Sequence, residues 1–151
     1  MGNLGCGCPG SMAKVIERPV TGETSSVKAV SELRQWPVQL HLVPPAAPYF
    51  DKAEILVCAD CVAFAMGSMH QDLLKGKALA IACPKLDETE SYVDKLATIF
   101  SANDTPHVTV AIMEVPCCRG LDIMVREAIK KSGKNIPLET VIVGIDGNRR
   151  N

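Results

Sequence analysis

Residues 54–61 read Glu-Ile-Leu-Val-Cys-Ala-Asp-Cys, an apolar run that ends in a polar pair. A short apolar run without polar interruptions is typical of a strand that is buried on both faces of a parallel sheet. Apolar residues at helical spacing follow at 62–73. The stretch therefore predicts a β-strand that passes into an α-helix, with Cys61 at the carboxyl end of the strand.

The same order of strand and helix recurs along the chain. Strands that are apolar throughout and alternate with helices indicate a three-layer α/β fold, Rossmann-like or flavodoxin-like. We expect a mostly parallel sheet of about five strands with helices on both faces. The predicted strands cover 38–43, 54–59, 78–82, 107–115 and 140–145, and the predicted helices cover 27–36, 62–73, 87–102 and 121–132.

The length of 151 residues is that of one ordinary domain. Residues 1–26 are rich in Gly, Pro, Ser and Thr and show little apolar periodicity. We interpret them as an irregular, cysteine-containing leader that folds onto the domain. Residues 27–151 are predicted to form a single α/β domain.

Charge and hydropathy narrow the class of protein. Sixteen basic and seventeen acidic residues leave a net charge of -1, which argues against a nucleic-acid partner and against a polybasic membrane surface. The N-terminus lacks the features of a signal peptide, and no apolar run approaches the ~18 residues of a spanning helix. These features predict a cytoplasmic protein.

Cysteine is the residue type that points to function. The chain has seven cysteines, and in a reducing compartment an odd number with one adjacent pair favours metal or redox chemistry over disulfides. Cys61, Cys83 and the pair Cys117-Cys118 each follow a predicted strand. Because the carboxyl ends of parallel strands meet at one edge of a sheet, these thiols should gather there. Cys58 lies inside a strand and is interpreted as a small buried apolar residue.

Thiolates are the usual ligands of iron-sulfur clusters, and a cuboidal cluster needs four of them. Neighbouring prolines can shape tight ligand loops. Six candidates exceed four, so either one 4Fe-4S cluster uses a subset, or the rest serve a second cluster, a larger cluster or a free reactive thiol. The predicted ligand pool is Cys6, Cys8, Cys61, Cys83, Cys117 and Cys118.

Five motifs together resemble a family of small bacterial and archaeal iron-sulfur cluster-binding proteins. They are GCGCPGS at 5–11, WPVQLHLVPPAAP at 36–48, ADCVAFA at 59–65, CPKLD at 83–87 and MEVPCCRGL at 113–121. Members of that family often carry a ferredoxin domain with two 4Fe-4S clusters, and some are encoded near the hybrid cluster protein. This chain has no CxxCxxCxxxCP run, so the resemblance implies a separate electron donor such as a ferredoxin.

The leading hypothesis is thus an electron-transfer protein or a component of a redox enzyme. One alternative is a thiol-disulfide redox protein that uses Cys58 and Cys61, whose CxxC spacing falls at a strand-to-helix junction. Another is structural zinc binding, although two clean CxxC knuckles are lacking. No nucleophile-base pair, P-loop or GxGxxG fingerprint identifies a reaction, so enzyme activity stays open. The oligomeric state also stays open, with a homodimer as one alternative.

Charged residues flank the cysteines and could tune a redox potential through charge or hydrogen bonds. A helix-capping role explains Asp87 equally well. The terminal pair Arg149-Arg150 is interpreted as a solvated chain end. The flanking residues are Asp60, Lys85, Asp87, Glu114 and Arg119.

Overall fold

The computed structural model describes residues 12–18 and 28–151 of the chain. Within these ranges, no helix combines the length and the apolar character needed to cross a membrane. The elements in chain order are β1 Glu54–Ala59, α1 Val62–Ala65, β2 Lys77–Ala82, α2 Tyr92–Ala102, β3 Val108–Met113, α3 Arg119–Ser132 and β4 Leu138–Val143.

The sheet has the order β2-β1-β3-β4, and every neighbouring pair of strands is parallel. Helices α2 and α3 pack against each other, whereas right-handed crossovers place α1 on the opposite face. The chain leaves β1 towards one side of the sheet and β3 towards the other. The topological switch point therefore lies between β1 and β3, and the predicted Rossmann-like α/β fold is confirmed.

Burial on both faces explains why the strands could be recognised from sequence. Every residue of β3 is buried, and in β1 only Glu54 is exposed. From the helices, Leu96, Phe100 and Leu121 are fully buried against the sheet. Burying one such side chain stabilises the fold by about 1.5–3 kcal/mol, so the apolar runs are the residues that hold the layers together.

The predicted strand at 38–43 is wrong, because this segment forms only a single β-bridge. The sheet of the described residues therefore has four strands where about five were expected. Gln39 pairs with Ile81 at the edge of β2, and the chain then turns, with the Val43 N–H donating to the Gln39 carbonyl at 2.9 Å. Leu40 and Val43 are buried, but Leu42 is 63% exposed. The turn thus decides which apolar residues are buried. The alternation of apolar and polar residues in this segment does not reflect a strand.

The predicted helix at 27–36 is absent from its described part, residues 28–36. This segment is irregular and is bound by polar contacts. The Gln35 side chain donates to the Leu79 carbonyl and accepts from the Leu79 N–H, both at 2.7 Å. The Glu32 N–H donates to His70 Nδ1 at 3.0 Å. Tertiary hydrogen bonds along the edge of β2 thus replace helical ones.

The predicted helix at 62–73 is split into α1 and a π-helix, His70–Leu74. Its apolar residues Val62, Met66, Met69 and Leu73 are all buried, as their spacing predicts. The break follows the Ala65 carbonyl, which lies against Gly147 so closely that a Cβ on that glycine would overlap the oxygen. The loop after β4 therefore occupies the space beside the end of α1.

We predict that Gly147→Ala destabilises the protein more than Gly133→Ala. Both glycines have a positive φ, 91° and 73°, but only Gly147 meets backbone atoms, whereas Gly133 has open space around it. We expect a loss of roughly 1 kcal/mol at position 133 from backbone strain, and about 2 kcal/mol more at position 147. Urea denaturation measures both losses, and equal values would contradict the close packing of Gly147 against Ala65.

Candidate functional site

Three strand-to-helix junctions carry thiols at one edge of the sheet. Cys61 directly precedes α1, Cys83 directly follows β2, and Cys117 and Cys118 belong to the 3-10 turn between β3 and α3. Strands β2, β1 and β3 are adjacent in the sheet, so the three junctions lie side by side around the switch point. Cys61 is exposed, Cys83 and Cys117 are half-buried, and Cys118 is buried.

The thiols lie within electrostatic reach of one another. Removal from water raises the pKa of Cys61, and the charges of Cys83 and Cys117 add to the rise. Burial likewise raises the pKa of Cys118, with further contributions from Cys117, Cys61 and Cys83. Thiolates formed together at this edge would repel each other, and a cationic centre would relieve that repulsion.

The grouping of these side chains is loose. In the ranges 12–18 and 28–151, no three His, Cys, Asp or Glu side chains converge closely enough to hold a single metal ion. Cys6 and Cys8 lie outside the described residues. Segment 12–18 is described, and a groove of about 670 Å³ separates it from residues 114–116, next to Cys117.

Asp87 closes the loop that presents Cys83. Its Oδ2 accepts hydrogen bonds from the Cys83 N–H at 2.9 Å and from the Tyr92 hydroxyl at 2.7 Å. Its own N–H donates to the Cys83 carbonyl at 3.0 Å. Helix α2 begins only at Tyr92, so the interpretation of Asp87 as a helix cap is wrong. The carboxylate instead fixes the loop that carries a candidate ligand.

A glycine brings the Cys83 loop close to the cysteine pair. A Cβ at Gly120, in the first turn of α3, would lie 3.2 Å from Pro84 Cβ. That approach is tighter than ordinary packing, so glycine lets Pro84 rest on the helix start. The loop after β2 and the turn Pro116–Cys118 are held together at this contact.

Asp60 contributes an unpaired polar atom to the site. Its Oδ1 is buried and has no hydrogen-bond partner within the described part of the chain. Burial raises the pKa of this carboxyl, and the negative charge of Asp87 raises it further. Buried polar atoms normally have a partner, and an unpaired one costs free energy. Asp60 Oδ1 is thus an acceptor that no atom of the described residues satisfies.

The C-terminal residues form a network that the sequence interpretation missed. Arg150 Nε donates to Glu114 Oε2 at 2.9 Å, and Arg150 Nη2 donates to Asp146 Oδ1 at 3.0 Å. The guanidinium lies over Gly144, where a Cβ would collide with it. Arg150 is thus exposed but ion-paired, and the interpretation of it as merely solvated is wrong. Because Glu114 begins the loop that leads to Cys117, the network ties the chain end to the candidate site.

Cys58 differs from the other thiols. It lies inside β1 and is fully buried, as its position in the apolar run predicts. Burial, with the charges of Asp60 and Cys118, raises its pKa to about 12. A thiol of this kind is almost entirely protonated at neutral pH and is a poor nucleophile.

We predict that Asp60→Asn shifts the alkylation profile of Cys61 to lower pH. Burial is the main cause of the raised pKa of Cys61, and the carboxylate charge of Asp60 adds to it, so removal of that charge increases the thiolate fraction below that pKa. Iodoacetamide labelling followed by peptide mass spectrometry measures the rate at each pH. Asp51→Asn is the control, because Asp51 is exposed and precedes β1 at the other end of the strand. Identical profiles for the two variants would contradict the coupling.

The comparisons with known proteins agree with the architecture. A family described as Rossmann-like domain matches residues 47–150. The chain is similar to an uncharacterized protein of Archaeoglobus fulgidus, with 33% identity over 118 residues that cover 78% of this chain and 83% of that protein. No solved structure gives a significant match. The family match includes all four strands and the three cysteine-bearing junctions, and the chain therefore belongs to the Rossmann-like domain family.

Proposed function

We propose that this chain binds an iron-sulfur cluster at the carboxyl edge of its sheet and transfers electrons, as a carrier or as a component of a redox enzyme. One observation carries the proposal: thiols from three adjacent strand-to-helix junctions lie side by side around the topological switch point. A 4Fe-4S cluster is the first choice of cofactor. Its ligands come from Cys61, Cys83, Cys117, Cys118, Cys6 and Cys8.

The donor set suits such a cofactor. When bound, a cluster supplies reversible one-electron chemistry, and its irons are held by soft, anionic thiolates. The chain's own part is to hold those thiolates in place. Asp87 fixes the Cys83 loop, and Gly120 lets that loop lie against the turn that carries Cys117. Ligand loops that are rigid before the cofactor binds reduce the entropy lost on binding.

The loose grouping favours a cluster over structural zinc. A single zinc ion draws four donors to one point, and no three donors converge in this way among residues 12–18 and 28–151. A cubane presents its irons at the corners of a larger body, so its ligands can lie further apart. Zinc binding would therefore require a larger rearrangement of these loops.

The properties of Cys58 weaken the thiol-disulfide alternative. A CxxC redox pair needs an accessible thiol with a lowered pKa. Cys58 is fully buried with a pKa raised to about 12, and the pKa of Cys61 is also raised. Although the pair precedes helix α1, neither of its thiols is therefore activated as such chemistry requires.

Chain length allows the leader cysteines to join the site. Met12 lines the same groove as Pro116, the residue before Cys117. Cys8 precedes Met12 by four residues, and an extended chain spans at most ~3.6 Å per residue. Cys8 therefore reaches up to about 14 Å from Met12, and with Cys6 it would complete the ligand set or hold a further iron site.

We propose a separate cytoplasmic electron donor, such as a ferredoxin. The motif resemblance to cluster-binding proteins that often carry a ferredoxin domain supports this partner. Cys61 is exposed, and Phe64, three residues later in α1, is 93% exposed. A ligand at the surface keeps the path of an incoming electron short, and an exposed aromatic residue in the helix that follows it suits contact with a partner.

We predict that anaerobically purified or reconstituted protein contains about four irons and four acid-labile sulfides per chain, as expected for one cubane. Its visible absorption should bleach with dithionite, and a reduced-state EPR signal should appear. About twice that iron content would indicate a second cluster. A colourless protein after careful reconstitution would contradict the proposed function, and zinc analysis with thiol titration would then separate the alternatives.

We predict that Cys83→Ser lowers iron content while the cluster-free domain stays folded. The matched control is Cys58→Ala, which removes a thiol that lies inside β1 and outside the proposed ligand pool. It should retain iron and lose about 1 kcal/mol of stability from the small cavity. Iron analysis and thermal unfolding by circular dichroism measure the two effects. Wild-type iron content in Cys83→Ser would remove Cys83 from the ligand pool.

A further inference from the structure

The backbone N–H of Cys83 donates its hydrogen bond to a carboxylate. The Cys83 N–H is 2.9 Å from Asp87 Oδ2, and the same oxygen accepts the Tyr92 hydroxyl at 2.7 Å. We propose that Asp87 is a positioning residue that lowers the reduction potential of the cluster, and that the Tyr92 hydroxyl moderates this effect. The inference rests on the proposed function and concerns the same site.

The first reason is the direction of the Cys83 N–H. Backbone N–H groups that donate to cluster or cysteine sulfurs stabilise the more negative, reduced state and raise the potential. In this loop the Cys83 N–H is held by a carboxylate instead. The return bond from the Asp87 N–H to the Cys83 carbonyl closes the loop and keeps that N–H directed at Asp87.

The second reason is charge. A carboxylate beside a ligand opposes the addition of an electron to the cluster, because reduction adds negative charge nearby. The electrostatic influence of Asp87 reaches Asp60 on the neighbouring junction, where it adds to the rise of that carboxyl's pKa. Its influence therefore extends beyond its own loop to the junction that carries Cys61.

Tyr92 acts in the opposite sense. It is buried at the start of α2, and the His41 ring meets its ring edge-on with centroids 6.3 Å apart. This packing holds the hydroxyl against Asp87. A donor on the carboxylate draws electron density towards itself and so reduces the negative field at the ligand. Loss of the hydroxyl should thus strengthen the effect of Asp87.

The test is the midpoint potential of the loaded protein in three variants, measured by dithionite titration followed by EPR. Asp87→Asn keeps an acceptor for the Cys83 N–H and removes the charge. It should make the ratio of reduced to oxidised cluster about tenfold higher at the wild-type midpoint, a rise of ~59 mV for one electron. Tyr92→Phe should lower the same ratio. In the double variant, loss of the hydroxyl should have no further effect, because its partner charge is gone.

Glu88→Gln is the matched control, since Glu88 is the exposed acidic neighbour of Asp87 and loses the same charge. Its potential should stay close to that of wild type. If Asp87→Asn and Glu88→Gln give the same potential, the inference is overturned while the proposed function stands. If Tyr92→Phe shifts the potential equally with and without Asp87, the moderating role is overturned. A wild-type chain that binds no cluster overturns the proposed function, and the inference with it.

Discussion

The structure depends on the burial of β1 and β3 on both faces at the centre of a parallel sheet. Because these strands are neighbours and the chain leaves them in opposite directions, the topological switch point lies between their carboxyl ends. The residues that follow β1, β2 and β3 must therefore lie near that point. Cysteine occupies all three junctions, so the constraint that builds the core also gathers the thiols.

Local contacts then decide how those thiols are held. Asp87 clamps the Cys83 loop through two hydrogen bonds, and Gly120 lets Pro84 rest on the first turn of α3. Arg150 reaches back from the chain end to Glu114, before the cysteine pair. Exposed ion pairs of this kind add little to the free energy of folding. Their effect is to define loop geometry, which matters more for a ligand site than for folding.

The sequence predicted the elements whose burial leaves a regular apolar pattern, and the prediction failed where a turn or a tertiary hydrogen bond decides the structure. The strands 54–59 and 78–82 were recognisable because apolar residues buried on both faces leave a continuous apolar run. The strand at 38–43 failed because two apolar residues, Leu40 and Val43, are buried by a turn rather than by pleating. The helix at 27–36 failed because Gln35 pairs with the backbone of Leu79, and periodicity carries no sign of such a partner.

The sequence by itself determined the fold class, the order of strands and helices from residue 54 onwards, and the placing of Cys61, Cys83, Cys117 and Cys118 at strand ends, because burial dictates the apolar pattern. Only the tertiary structure decided which side chains meet across the loops. Asp87 reads as a helix cap in the sequence and is a clamp on Cys83 in the fold. Arg150 reads as a loose chain end and is paired with Glu114. Arg150 and Glu114 are far apart in the chain, and Asp87 and Cys83 lie in one irregular loop. Only three-dimensional packing brings each pair within hydrogen-bonding distance.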